Sequence, residues 1–366
     1  MLYCALFCIY CTMNSLALCM IVKNEEKTLA RAIAPLIGVM DQIVVVDTGS
    51  ADGTKKVAES LNAEVYDYLW TEDFSSARNF AFSLSRCAYN LWLDADDVVP
   101  PKTVEAIRNL KENMQAESYF LPYETGIKNG IPTLRYYRER ILKNIPAYRF
   151  SGAVHEAVAC PLNGREYLNA PICHYPVGEH GNRNLAIYRK RKKEGKYFSA
   201  RDEYYYAREL LFHGYLQAAK KQFNVFLRRT EGWAEDKICA LNLLAEAERK
   251  RGNPLRAKTL LYQAFSYGAP RAETCYYLGN AHFALGEWES AAFWYESATR
   301  QTVGEGFTYP ALRGIDAYLQ LTVCYDRLGD RARAYEWHKK ALAENPKHPS
   351  VIKNAIYFAL QGFDKP

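Results

Sequence analysis

Leu91-Trp92-Leu93-Asp94-Ala95-Asp96-Asp97 decides the reading of this chain. An apolar run ending in Asp-x-Asp-Asp describes a buried strand that delivers carboxylates to its exposed carboxyl end, where open α/β sheets bind their ligands. Three acids so close repel one another unless a cation lies among them. All-oxygen ligation suits Mg²⁺ or Mn²⁺, and such an ion usually also holds a substrate phosphate. Taken alone the motif also fits a loop that caps a helix. Its neighbours decide.

Upstream, strand and helix patterns alternate. Leu16–Val22 reads as a strand, 26–37 as a helix, 42–48 as a strand with a β-branched centre, and 52–61 as a helix; 64–69 is a strand, 75–85 a helix and 91–93 a strand. Continuous apolar strands alternating with helices predict a parallel sheet covered on both faces. From about 119 to 176 short strands and the hairpin signal Lys128-Asn129-Gly130 predict a mixed or antiparallel edge.

After about residue 196 the strand pattern stops and a repeat begins. Gly214, Gly252, Gly286 and Gly329 are each followed five residues later by alanine: Ala219, Ala257, Ala291 and Ala334. The spacing is close to the tetratricopeptide period of about 34 residues with short insertions. Small residues let paired helices approach, and Gly ends the first helix of each pair. The chain therefore resembles an α/β domain followed by an all-α tetratricopeptide-repeat solenoid. The boundaries are a dispensable extension at 1–12, the α/β domain at 13–187, a basic linker at 188–200 and the repeats at 201–360. In the repeats, Tyr204, Tyr205, Tyr206, Arg208, Tyr276, Asn280, Tyr318 and Tyr325 are expected to line a concave face that holds an acceptor.

Bulk composition agrees. A chain of 366 residues exceeds one ordinary core, and 49% apolar with 24% charged residues is globular. The net charge of +6 suits anionic small substrates or an acidic membrane surface and is too diffuse for nucleic acid. Met1 to Val22 carries no charge, long enough for a membrane span by hydropathy, but Leu16–Val22 is needed as a core strand and Met13 offers a second start. Of ten cysteines, four crowd the start and six are scattered among apolar neighbours, as buried free thiols in a reducing, cytoplasmic compartment would be. The basic run Arg189-Lys190-Arg191-Lys192-Lys193 reads as a solvated linker, with peripheral contact to anionic lipid as the sharper reading.

Two further segments end strands in the same crevice as the acidic one. They are Lys23-Asn24-Glu25-Glu26 and Asp47-Thr48-Gly49-Ser50-Ala51-Asp52-Gly53-Thr54. Asp47, an acid on a wholly apolar strand, is placed to accept a hydrogen bond from a base imide. With Ala77-Arg78-Asn79 and Leu93-Asp94-Ala95-Asp96-Asp97, the order and spacing resemble glycosyltransferase family 2 over about residues 15–180. The likeness is to the branch that includes lipopolysaccharide-core glucosyltransferases and bacteriocin peptide S-glycosyltransferases. The resemblance implies a GT-A fold (a Rossmann-like mixed sheet), a nucleotide-sugar donor, usually a uridine diphosphate sugar, Mg²⁺ or Mn²⁺, and inversion at the anomeric carbon. It implies that Asp47 meets the base, Arg78 the base or diphosphate, and Asp94 the ribose or sugar, with Asn24 and Glu25 on the donor side. Asp96 would hold the metal beside Asp94.

An inverting transfer needs one general base. Gly152-Ala153-Val154-His155-Glu156 resembles the Val-His-Glu element of that branch, so Glu156 is the base candidate, His155 its donor-binding partner, and Asp97 the rival base. His174 is a late metal ligand or a packed core histidine; Arg140 offsets leaving-group charge or faces solvent on an edge strand. The acceptor, held by the repeats, is a protein, peptide or saccharide, and the repeats also allow a homodimer. The competing readings are a tetratricopeptide scaffold with an inactive transferase-like domain, and a nucleotidyltransferase, which would carry a Gly-rich phosphate loop that is absent here.

Overall fold

The apolar runs form strands because nearly every residue in them is buried on one face or the other. In the computed structural model, which describes residues 14–127, 131–176, 181–302 and 306–363, β1 (Leu16–Val22) is an interior strand. It is flanked in parallel by β2 (Gln42–Asp47) and β4 (Tyr89–Leu93), and β3 (Glu64–Asp67) extends β2 in parallel. Alternate residues feed separate cores. Leu16, Leu18, Met20, Ile43, Val45, Leu91 and Leu93 pack with α1 (Leu29–Ile33), α2 (Thr54–Ser60) and α4 (Pro101–Glu112). Ala17, Cys19, Val44, Val46 and Trp92 pack with α3 (Phe74–Ser83). The expected extension at 1–12 and the Lys128-Asn129-Gly130 turn lie outside the described residues.

Two helices start later than their periodicity suggested, for local reasons. Residues 26–28 belong to a loop in which the backbone N–H groups of Thr28 and Leu29 donate to the Glu25 carbonyl. The helix then tightens to a 3₁₀ turn at Ala34–Leu36, around Pro35. Likewise Asp52 stays outside α2 and accepts from the Thr54 N–H at 3.0 Å, which satisfies an otherwise orphaned donor.

Beyond β4 come β5 (Asp97–Val98), β6 (Ser118–Thr125), β7 (Leu134–Lys143), β8 (Phe150–Ser151), β9 (Ala157–Val158), β10 (Arg165–Tyr167) and β11 (Ile172–His174). The sheet order is β3-β2-β1-β4-β7-β6-β11-β5, with β10 also on β6, and β8 pairs separately with β9. β7 runs antiparallel to β4 and β5 antiparallel to β11, so the sheet is mixed. β7 is an interior strand, which overturns the edge-strand reading of Arg140.

The chain divides into one unit of Met1–Gly130 with Tyr136–Tyr197 and a second of Ile131–Arg135 with Phe198–Pro366. The basic run is no linker: it forms the last turns of α5 (Arg183–Lys193), whose Leu185, Ile187 and Tyr188 are buried in the first unit. Cationic side chains at that end complement the helix dipole. Among the described residues no helix is long and apolar enough to cross a membrane.

The second unit is a run of helix pairs. These are α6 (Ala200–Phe212) with α7 (Leu216–Leu227), α8 (Ala234–Lys250) with α9 (Pro254–Ala264), α10 (Ala272–Ala284) with α11 (Trp288–Arg300), and α12 (Ile315–Arg327) with α13 (Arg331–Glu344). A final helix, α14 (Pro349–Leu360), follows. The four repeat glycines occupy the turns inside the pairs with φ of 78°, 81°, 75° and 80°, a region glycine enters without steric strain. The expected tyrosine lining is only partly exposed. Tyr204, Tyr205, Tyr276 and Tyr325 are buried, because their rings fill the space between paired helices: Tyr204 packs on Phe226 at 5.3 Å and Tyr276 on Tyr295 at 5.4 Å.

Candidate active site

The carboxyl ends of β1 and β2 are clasped by their own loops. Asn24, in the left-handed region at φ 57°, donates its N–H to Ser50 Oγ (2.9 Å) and accepts from the Ala51 N–H through Oδ1 (2.8 Å). The Glu25 N–H donates to Thr54 Oγ1 at 2.7 Å, and Glu26 Oε2 accepts from the Gly53 N–H at 3.1 Å. Asp47 is buried at the base of this clasp, where its Oδ1 accepts from the N–H groups of Gly49 (2.9 Å) and Ser50 (2.8 Å). Its Oδ2 is buried without a hydrogen-bond partner. Asn24 therefore shapes the loop with its side chain, and Asp47 keeps one acceptor unused.

The acids at the end of β4 are largely neutralised from within the protein. Arg78, on α3, donates through Nη2 to Asp94 Oδ1 and through Nε to Glu156 Oε1, both at 2.5 Å, while its guanidinium lies 4.4 Å from the Trp92 ring centre. Arg78, a candidate donor contact, is a largely buried bridge between two carboxylates that also reaches the lining of the solvent-open cleft. Burial alone would raise the Asp94 carboxyl, but the guanidiniums of Arg78 and Arg140 outweigh it and hold it well below the usual carboxylate range.

Asp97 and Arg140 are sealed in: both side chains are 0% exposed, and Arg140 Nη2 lies 3.2 Å from Asp97 Oδ2. Arg140 also stacks on Trp92 (3.9 Å) and Tyr123 (4.4 Å). Asp97 Oδ2 accepts from the Asp94 N–H at 3.0 Å, and its Oδ1 from Tyr123 Oη at 2.8 Å. With no exposed surface and both oxygens engaged, Asp97 cannot reach an acceptor proton, so the rival-base reading is withdrawn. Arg140 likewise cannot touch a leaving group.

What remains open to solvent is a cleft of about 470 Å³, a volume typical of small-molecule sites. Glu25, Asp94, Asp96, His155, Glu156 and His174 all line it. Among the described residues the Asp96 carboxylate has no arginine partner; His174 Nδ1 lies 3.3 Å from its Oδ1 and 3.2 Å from Asp97 Oδ1. Burial disfavours the imidazolium, yet hydrogen bonds and charge from Asp96 and Asp97 overcome it and push the His174 pKa up to about 10. Glu25 is raised by burial and by the nearby Asp96 and Asp94. Asp96, Asp97 and His174 offer ligand atoms within 4.8 Å of one another. Carboxylate oxygens with one imidazole fit Mn²⁺ well and Mg²⁺ adequately.

Sequence reasoning missed Arg138 and an aromatic wall. Arg138 lines the cleft, lies 4.7 Å from the Trp92 ring centre and donates to the Glu156 carbonyl at 3.2 Å. The signal was present, since residues two apart on a strand share a face and Arg138 precedes Arg140 by two. Trp70, Phe74 and Tyr136 form the apolar wall, with Arg183 4.7 Å from the Phe74 ring centre. Their gathering is long-range and leaves no local pattern.

Residues 17–157 match the family model for glycosyl transferase family 2. This stretch is a glycosyltransferase family 2 domain, followed in the chain by tetratricopeptide-type helix pairs. A TPR repeat-containing protein of Synechococcus elongatus is 32% identical over 146 residues, covering 40% of this chain and 36% of that protein. An uncharacterized glycosyltransferase of Rickettsia felis is 30% identical over 107 residues, covering 29% of this chain and 38% of that protein. The chain thus spans little more than a third of the length of these curated relatives. The crystal structure of S. aureus TarS 1–349 in complex with UDP-GlcNAc aligns over 92% of this chain and 93% of that one at 14% identity, with a TM-score of 0.38, too low to bear on function.

Proposed function

We propose that the family 2 domain at residues 17–157 makes this protein a divalent-metal-dependent, inverting glycosyltransferase. It takes its sugar from a nucleotide-sugar donor, of the uridine diphosphate class that the family resemblance implies. The acceptor is a protein, peptide or saccharide positioned by the helix pairs, since such arrays build extended binding surfaces. The observation that carries the reading is the charge economy of the cleft. Arg78 compensates Asp94 and Glu156, and Arg140 compensates Asp97, while Asp96 faces the cleft beside His174 with no arginine partner among the described residues.

Asp96 and His174 would hold Mg²⁺ or Mn²⁺, with Asp94 beside them. When bound, the ion neutralises the diphosphate that departs. The unpaired Oδ2 of Asp47 is buried beneath the Asn24–Glu26 clasp, so its proposed contact with a base N–H requires that clasp to open. Arg138, which lines the cleft with Arg78 and Arg183, is the proposed guanidinium for substrate phosphate, since Arg78 is committed to two carboxylates and Arg140 is sealed in. Glu156 is the proposed base: Arg78 engages its Oε1 and fixes the carboxylate at the cleft wall beside His155. His155 holds a left-handed backbone at φ 53°, a strained placement that turns Glu156 inward at the end of the 152–156 turn.

The test is release of nucleoside diphosphate from a panel of uridine diphosphate sugars, with and without Mn²⁺. Metal-dependent release is expected, because family 2 sites leak sugar to water. Release from no sugar nucleotide, with none raising the melting temperature, would favour the scaffold reading.

A further inference from the structure

Asp96 and His174, the proposed cation ligands, come from segments far apart in the chain and meet through very short strands. β5 has two residues and β11 three, joined in antiparallel register with His174 opposite Asp97. β6 holds β11 from its other side, but β5 ends the sheet order on a two-residue ladder with β11, and so short a pairing contributes little to fixing Asp96. A further element holds it. Arg31, on α1, donates from Nη2 to the Asp96 carbonyl at 3.0 Å and to the Tyr175 carbonyl at 2.7 Å. The Tyr175 N–H donates to the same Asp96 carbonyl at 3.1 Å, and the Arg31 guanidinium lies 5.9 Å from the Tyr175 ring centre.

We infer that Arg31 is a positioning residue that sets the spacing between Asp96 and His174 and thereby the affinity of the site for a divalent cation. This rests on the metal reading above. The contact pattern separates positioning from ligation. Arg31 binds the backbone of Asp96 and of the residue after His174, and it leaves the Asp96 carboxylate unclaimed. Fixing the backbone of a ligand while sparing its donor atoms is how outer residues tune metal affinity. Arg31 Nε is also buried without a partner, a penalty that a merely solvated arginine on a helix would not carry. Losing Arg31 therefore leaves the ligand set intact but poorly spaced. Enough metal should restore the site.

The experiment measures Mn²⁺ binding to the full chain by electron paramagnetic resonance, for the native protein, Arg31→Leu, Arg31→Lys and Asp96→Asn. Native protein should bind Mn²⁺ and Asp96→Asn should not. Arg31→Leu should bind about 10–100-fold more weakly, the range found when outer partners of metal ligands are removed. Arg31→Lys, which keeps one charged donor, should recover part of that loss. Donor hydrolysis by Arg31→Leu should climb back toward the native rate as Mn²⁺ is raised. The inference is overturned if Arg31→Leu binds Mn²⁺ within twofold of native, or if its hydrolysis stays low at every metal concentration. Should Arg31→Leu fail to fold, Arg31→Lys decides: a several-fold shift in Mn²⁺ affinity supports positioning, and native affinity refutes it. Native protein that binds no Mn²⁺ refutes the metal reading itself, a result distinct from an unshifted Arg31 variant.

Discussion

Arg140 Nη2 lies 3.2 Å from Asp97 Oδ2, and neither side chain has any exposed surface. The pair is internal bracing for the loop that presents Asp96. Asp97 ties the Asp94 N–H, Tyr123 and Arg140 together, so the turn after β4 is held from beneath while its upper face stays available to ligand.

Breaking that pair one-sidedly should be severe. Arg140→Met leaves an uncompensated buried carboxylate, and Asp97→Asn an uncompensated guanidinium, each expected to lose about 3–5 kcal/mol of stability. Urea unfolding followed by tryptophan fluorescence reads this through Trp92, on which Arg140 stacks. The double variant should lose less than the sum of the two, because it buries no lone charge.

Asp96→Ala should behave oppositely. Its carboxylate faces the cleft and its one ion partner among the described residues is His174, so the loss of stability should be well below that of breaking the Arg140–Asp97 pair, confined to what the His174 contact contributes. Metal binding and transfer should vanish together. Near-normal turnover in Asp96→Ala would remove the acidic turn from the mechanism.

Glu156→Gln keeps the shape of the side chain and a hydrogen-bonding oxygen for Arg78, but removes basicity. Donor affinity should persist while transfer falls by roughly 10²–10⁴-fold. Equal loss of donor binding and of transfer would instead mean that Glu156 serves only to anchor Arg78, its partner at 2.5 Å.

The acidity of His174 gives the metal-free protein a pH signature. Its folded pKa is raised from 6.5 to about 10, so its contribution to stability is fully present below pH 6.5 and is lost as pH climbs through about 10. In EDTA, the melting temperature of the native protein should therefore fall across that window by more than that of His174→Gln. Identical pH profiles for the two would show that the imidazolium contributes no stability.

In the helix pairs, Gly279 of α10 packs against the Tyr295 ring of α11, and a Cβ built there would meet ring carbons at 2.5 Å. Alanine raises helix propensity by about 1 kcal/mol, whereas overpacking costs typically about 1–3 kcal/mol. Gly279→Ala should thus lower the stability of the helical unit, measured by far-ultraviolet circular dichroism during urea unfolding. A stabilised variant would show that the two helices separate easily.

The sequence alone was enough to read β1, β2, β4 and the helix pairs. Each is a local pattern: an unbroken apolar run for a strand covered on both faces, or Gly and Ala at a fixed interval for packed helices. The same locality placed Asn24, Asp47, Asp94 and Asp96 at strand ends, since the residue after an apolar strand leaves the sheet at its carboxyl edge. It also produced the errors. Periodicity shows that Tyr204 and Tyr276 share a helix face with their neighbours, but not whether that face meets solvent or another helix, and both are buried.

Charge pairing belonged wholly to the tertiary structure. Arg78, Arg138 and Arg140 look alike in a string of letters. They differ because Arg78 bridges Asp94 and Glu156 at the cleft wall, Arg140 is sealed against Asp97 away from the cleft, and Arg138 lines the cleft with backbone contact to Glu156. A carboxylate is a base, a ligand or a brace according to the counter-charge and solvent within a few ångströms of it. Those neighbours come from strands and helices far apart in the chain, so the composition of the site was written in the sequence, while the division of labour within it was decided by folding.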